Sequence, residues 1–118
     1  MLKVLVIDDE PGVLNLLQKR LEANGYAVVT AVDGIDGMRK MRAELPDLAI
    51  LDVMMPEMDG FSLLKEIRSV EALKGIPIIV TTAKEELGEL FRMEGVAGFF
   101  PKPFRAEDVI ARVKAIIG

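Results

Sequence analysis

Five side chains in this 118-residue sequence have types and spacing that could do chemistry together: Asp8, Asp9, Asp52, Thr82 and Lys102. All but Lys102 sit at the end of a short apolar run, and Lys102 lies just past one. If those ends converge, three carboxylates meet a hydroxyl and an ammonium. At about 4 Å each carboxylate pair repels by roughly 4 kcal/mol at an effective dielectric near 20. Either some of the acids are protonated or a cation sits among them. With no His and no Cys in the chain, the ligand set is all oxygen. That suits a hard ion, Mg²⁺ first and Mn²⁺ next, keeping waters and room for a phosphate. Three acids, one divalent ion and one lysine balance to zero. Converting one carboxylate to an acyl phosphate adds about one negative charge, for which a lysine and a metal are suitable counter-charges.

Composition narrows the field further. The chain has no cysteine, histidine or tryptophan. Disulfides, thiolate metal sites, cysteine nucleophiles and imidazole bases are therefore excluded. Its length suits one domain, residues 1–118, able to bury roughly two-thirds of the surface its unfolded form exposes. The formal charge of −4 does not favour binding to a phosphate backbone. No apolar run approaches the 18 or so residues a membrane span needs. Met1 leads almost directly into the first apolar run, so no signal peptide is expected and a cytoplasmic location is the default.

The reactive positions need a scaffold, and the pattern supplies one. Lys3–Ile7 is a short β-branched run, apolar on both faces, as in a strand covered from both sides. Val13, Leu16, Leu17 and Leu21 recur at helical spacing, with Pro11 suited to the first turn and Gly25 to the end. Ala27–Ala31 reads as a second strand. Asp33–Leu45 reads as a helix weakened by Gly34 and Gly37 and stopped by Pro46. Asp47–Asp52 is a third strand, and Phe61, Leu63, Leu64 and Ile67 make a helix face. Ile76–Thr81 is a fourth strand, tolerating Pro77 only near its start. Lys84–Glu94 is a short helix, Val96–Phe100 a fifth strand, and Glu107–Ile117 a last helix. Five strand-then-helix units imply a parallel sheet with right-handed crossovers, and ligands in such sheets bind at the carboxyl ends of the strands.

At those ends the sequence resembles the receiver domains of two-component response regulators, the chemotaxis regulators included, over its whole length. The motifs are Ile7-Asp8-Asp9-Glu10, the run from Leu51 through Asp52 and Pro56 to Asp59-Gly60, Thr82-Ala83, and Lys102-Pro103-Phe104. The resemblance implies a flavodoxin-like (βα)5 fold with strand order 2-1-3-4-5. It implies a signalling phosphoacceptor rather than a turnover enzyme, with self-phosphorylation and self-dephosphorylation as its own chemistry. Asp52 would take the phosphoryl group from a phosphohistidine on a sensor kinase or phosphotransfer protein. Asp8, Asp9, Asp52 and the Met54 carbonyl would hold Mg²⁺, with Asp9 the more direct ligand and Asp8 able to act through water. Lys102 and Thr82 would contact the phosphoryl oxygens. Phe99 would be the switch aromatic. Met54 and Lys84 would tune the phosphoryl lifetime. The face made by the fourth helix, fifth strand and last helix would carry output to a downstream effector or form a homodimer.

Blander readings accompany these roles. Asp9 could cap the first helix. Thr82 and Glu85 have the spacing of a capping box. Met54, Met55 and Met58 read as cover for apolar surface, and Arg39, Lys40 and Arg42 as a solvated helix face. Three features depart from the family pattern. Phe99 lacks the hydroxyl that many relatives carry as Tyr. The stretch from Thr82 to Lys102 is slightly short, with Gly88 inside its helix. Pro101 precedes Lys102, and the Lys102–Pro103 bond is a candidate cis peptide. Two alternatives stand beside the receiver. A haloacid-dehalogenase-type phosphatase would want an acid where Met54 stands, and a receiver-like binding module would never be phosphorylated. A flavodoxin-type nucleotide site is weaker, because no Gly-rich loop follows the first strand. Whether the chain stands alone or comes from a longer protein is open.

Overall fold

Successive residues of a strand face opposite sides of its sheet, and the strands of this chain are apolar on both. Leu5 and Ile7 face one side of β1 (Lys3–Ile7), and Val4 and Val6 the other. Ala49 and Leu51 alternate in the same way with Leu48 and Ile50 on β3 (Leu48–Asp52). Such strands are stable only between two layers of helices, and the computed structural model, which describes residues 1–54 and 60–118, has that form.

The sheet also contains β2 (Ala27–Ala31), β4 (Ile78–Thr82) and β5 (Gly98–Pro101). All its pairs are parallel and the order is β2-β1-β3-β4-β5, as expected. One face is covered by α1 (Pro11–Ala23), through Leu14, Leu17 and Leu21, and by α5 (Ala106–Ile117), through Val109, Ile110 and Val113. The other is covered by α2 (Gly34–Glu44), α3 (Gly60–Ser69) and α4 (Gly88–Met93), which contribute Met38, Met41, Leu63, Leu64, Ile67 and Phe91.

Local chemistry sets several boundaries. Asp33 caps α2 by accepting the Asp36 amide at 2.8 Å. Pro46 disfavours the α conformation at the residue before it, and α2 ends with Leu45 in the left-handed region at φ 44°. At the start of α3, a Cβ on residue 60 would fall 2.4 Å from Val53 Cα. Only glycine lets that helix approach the end of β3 so closely, and the Gly60 amide donates to the Val53 carbonyl.

Other expectations are corrected. β4 begins at Ile78 rather than Ile76; Pro77 precedes it and contributes only its carbonyl, to the Ala49 amide. The fifth strand starts at Gly98, not Val96. The fourth helix is not one piece from Lys84: a 3-10 turn, Glu85–Leu87, precedes α4, because no side chain caps its start and Gly88 is a poor helix former. Lys40 is more than a solvated charge, since it pairs with Asp36 and donates to the Thr30 carbonyl.

Candidate functional site

The parallel register brings the reactive positions to one edge. Asp8 follows β1 directly, and Asp52 is the last residue of β3, aligned with Thr81 of β4. Thr82 is aligned with Pro101, and the Lys102 amide continues that ladder by donating to the Thr82 carbonyl at 2.6 Å. Lys102 is thereby aimed back across the edge. The Lys102–Pro103 bond is cis.

Lys102 Nζ lies 3.0 Å from Asp8 Oδ2, 3.1 Å from Glu10 Oε1 and 3.3 Å from Asp52 Oδ2. Asp8 and Asp52 are only 1% and 2% exposed. Each has its second oxygen tied to backbone: Asp8 Oδ1 accepts the Glu10 amide at 2.9 Å, and Asp52 Oδ1 accepts the Met54 amide at 3.0 Å. Both buried acids are therefore fixed in orientation as well as position. Burial pushes the Asp8 carboxyl above its ordinary value, the Asp52 charge adds to that, and the Glu10 amide and Lys102 oppose it without cancelling it. Burial would push the Lys102 ammonium down, but Asp8, Asp52 and Glu10 outweigh it and hold the ammonium well above the usual lysine range. Lys102 is charged throughout the physiological range.

Asp9 is exposed and does not cap α1: the residue before that helix is Glu10, in extended conformation and with no side-chain cap bond. Asp9 instead joins Asp8, Glu10 and Asp52 in a group in which one carboxylate oxygen from each lies within 4.8 Å of the others. So dense an acidic group, half of it buried and partly balanced by one lysine, fits a hard divalent cation. In the sequence Glu10 has no role beyond closing the Ile7-Asp8-Asp9-Glu10 motif. A third acid after an acidic pair carries no signal of its own, and only the fold brings it to Lys102.

The Thr82–Glu85 capping box does not form. Thr82 lies within β4, wholly buried, and its Oγ1 accepts the Lys84 amide at 3.0 Å, two residues on. Among the described residues, its hydroxyl hydrogen has no acceptor and can donate. Thr81, equally buried, has no hydrogen-bond partner for its hydroxyl among the described residues. Met54 is 46% exposed, so it is not buried cover, and Lys84 is exposed. Met55 and Met58, and the rest of that motif from residue 55 to 59, lie outside the described residues. Phe99 is half-buried and faces inward: its ring stacks on Phe91 at 6.3 Å, and Phe91 meets Phe61 edge-on at 5.8 Å.

Comparison with known proteins agrees with this geometry. Residues 4–114 match the family model described as the response regulator receiver domain. The chain is 44% identical over 117 residues to the alkaline phosphatase synthesis transcriptional regulatory protein PhoP of Bacillus subtilis, covering 98% of this chain and 48% of that protein. It thus spans about half the length of the curated relatives it matches. The chemotaxis protein CheY4 of Vibrio cholerae superposes with a TM-score of 0.90 at 31% identity, covering 99% of each chain. The response regulator TrrA of Thermotoga maritima, solved in complex with Mg(2+)-BeF, superposes with a TM-score of 0.89 at 31% identity, covering 99% of this chain and all of that one.

Proposed function

This chain belongs to the response regulator receiver domain family, and on that premise we propose that Asp52 is its phosphoacceptor. The observation that carries the assignment is the position of Asp52. It is nearly wholly buried at a strand end, with one oxygen held by the Met54 amide and the other beside Lys102. A carboxylate oxygen of Asp52 attacks the phosphorus of a phosphohistidine on a sensor kinase or phosphotransfer protein. The new O–P bond forms as the P–N bond breaks, and the imidazole leaves with the electron pair. The product is a mixed anhydride on Asp52. Lys102 compensates the added charge, and the Thr82 hydroxyl, whose oxygen is already held by the Lys84 amide, donates to a phosphoryl oxygen.

Asp8, Asp9, Asp52 and the Met54 carbonyl would hold Mg²⁺, which when bound supplies charge neutralisation for the transferring phosphoryl group. Receiver domains act with histidine kinases and effectors. For this chain we place the output on the face formed by α4, β5 and α5, which also serves a homodimer. No helix among the described residues is long and apolar enough to cross a membrane. The dehalogenase-type alternative loses ground, since Met54 occupies the position where it needs an acid.

The test is incubation with Mg²⁺ and acetyl phosphate, followed by intact mass. One phosphoryl group should appear on the wild type and none on Asp52→Asn. An equal shift in both overturns the assignment, and no shift in either favours a receiver-like module that is never phosphorylated.

A further inference from the structure

Of the three described acids paired with Lys102, Glu10 is the exposed one. Its side chain is 60% exposed and makes no cap bond to α1, and an exposed ion pair contributes little to stability. Yet its place is fixed. Its amide is bonded to Asp8, and its carboxylate sits as close to Lys102 as the two buried acids do. The ammonium is thus shared between two inner carboxylates and one outer one. Glu10 and Lys102 also stand together on the rim of a surface groove with Val13, Leu16, Pro103 and Phe104. A phosphoryl group arriving from solvent meets the charge of Glu10 and must take the ammonium from it.

Resting on Asp52 as phosphoacceptor, we infer that Glu10 is a positioning residue that sets the entry of anionic phosphodonors, by sharing Lys102 with the two buried acids and placing a negative charge at the mouth of the site. The closing of the site is then an exchange of partners. The phosphoryl oxygens take over Lys102, and Glu10 is released to solvent. The outer acid is a threshold that a donor protein can offset with binding energy of its own, while a small anionic donor meets it unaided and reacts more slowly.

The experiment compares wild type, Glu10→Gln and Glu10→Asp with acetyl phosphate in saturating Mg²⁺. In the reaction the acetyl O–P bond breaks, the Asp52 O–P bond forms and acetate leaves. The rate of phosphorylation is followed by intact mass at low and high salt, and thermal unfolding is recorded for each variant. Glu10→Gln should react about two- to fivefold faster than wild type at low salt, the size expected for removing one charge roughly 6–8 Å from an anion in a solvated setting. The gain should shrink at high salt, Glu10→Asp should keep the wild-type rate, and the three melting temperatures should agree. An unchanged rate in Glu10→Gln overturns the inference, as does an equal change in both variants. Failure of the wild type to accept a phosphoryl group overturns the reading of Asp52 and this inference with it, whereas failure in the variants alone overturns only the role of Glu10.

Discussion

Lys102 and Asp8 are 94 residues apart in the chain, and their Nζ and Oδ2 atoms are 3.0 Å apart. This pair joins the first strand to the last loop of the sheet edge and spans the site between them. It does not remove the electrostatic cost of that site. Asp8 remains pushed above its ordinary value, so burial outweighs the help Lys102 gives. The acidic group thus carries an electrostatic cost in the folded protein.

In EDTA at neutral pH, Asp8→Asn should raise the melting temperature by a few degrees, because the variant no longer buries an ionised carboxylate against Asp52. Added Mg²⁺ should stabilise the wild type, by about 2.7 kcal/mol at a hundred times its dissociation constant, and EDTA should reverse the gain. The same titration of Asp8→Asn should give a smaller increment. Thermal unfolding with and without the ion checks both statements, and an equal increment in the variant would remove Asp8 from the metal site.

Asp36 is shifted in the direction opposite to Asp8. Slight burial pushes its carboxyl up, but Arg39, Lys40 and the Val32 amide outweigh this and hold it below its ordinary value of 3.8. A depressed acid contributes stability above its unfolded pKa and loses it as pH falls through the folded one. Asp36→Asn should therefore destabilise the protein at pH near 7 and progressively less at a pH well below 3.8. Urea denaturation at the two pH values measures the difference, and a loss of the same size at both would show that the hydrogen bonds matter rather than the charge.

Lys84 stands two residues beyond Thr82, exposed, and its amide fixes the Thr82 hydroxyl oxygen. Its side chain is therefore free to act on the acyl phosphate from the rim. Lys84→Ala should change the decay rate of phosphorylated Asp52 without preventing phosphorylation. Following the loss of the phosphoryl mass after donor removal tests this, and a decay identical to wild type excludes the tuning role.

Gly60→Ala should be among the most damaging single substitutions. Its Cβ would fall 2.4 Å from Val53 Cα, and backbone at the end of β3 cannot yield as a flexible side chain would. The expected loss is about 2–4 kcal/mol, read as a lower denaturation midpoint. Because Val53 directly follows Asp52, phosphorylation of the folded fraction should slow as well. A midpoint unchanged from wild type would show that α3 can move away from β3 at no cost.

Much of this protein follows from one-dimensional pattern. Short β-branched runs alternate with helical periodicity, so the parallel sheet and both helical layers could be read from the residue types, because burial on two faces leaves so regular a mark; the strand order came from the family resemblance. Asp8, Asp52, Thr82 and Lys102 were legible for a related reason: each lies at or just past the carboxyl end of a strand, where a parallel sheet gathers its ligands. Boundaries set by competition were not. Thr82 is close enough to Glu85 for a capping box, yet it sits in β4 and bonds the Lys84 amide instead. The fourth helix begins as a 3-10 turn for want of that cap. Asp9, which could have capped α1, does not. The cap position falls to Glu10, while its side chain reaches Lys102 from 92 residues away. Residue types and periods settle which elements form. Which carboxylate faces which ammonium depends on distances between strand ends, and those exist only once the sheet has closed.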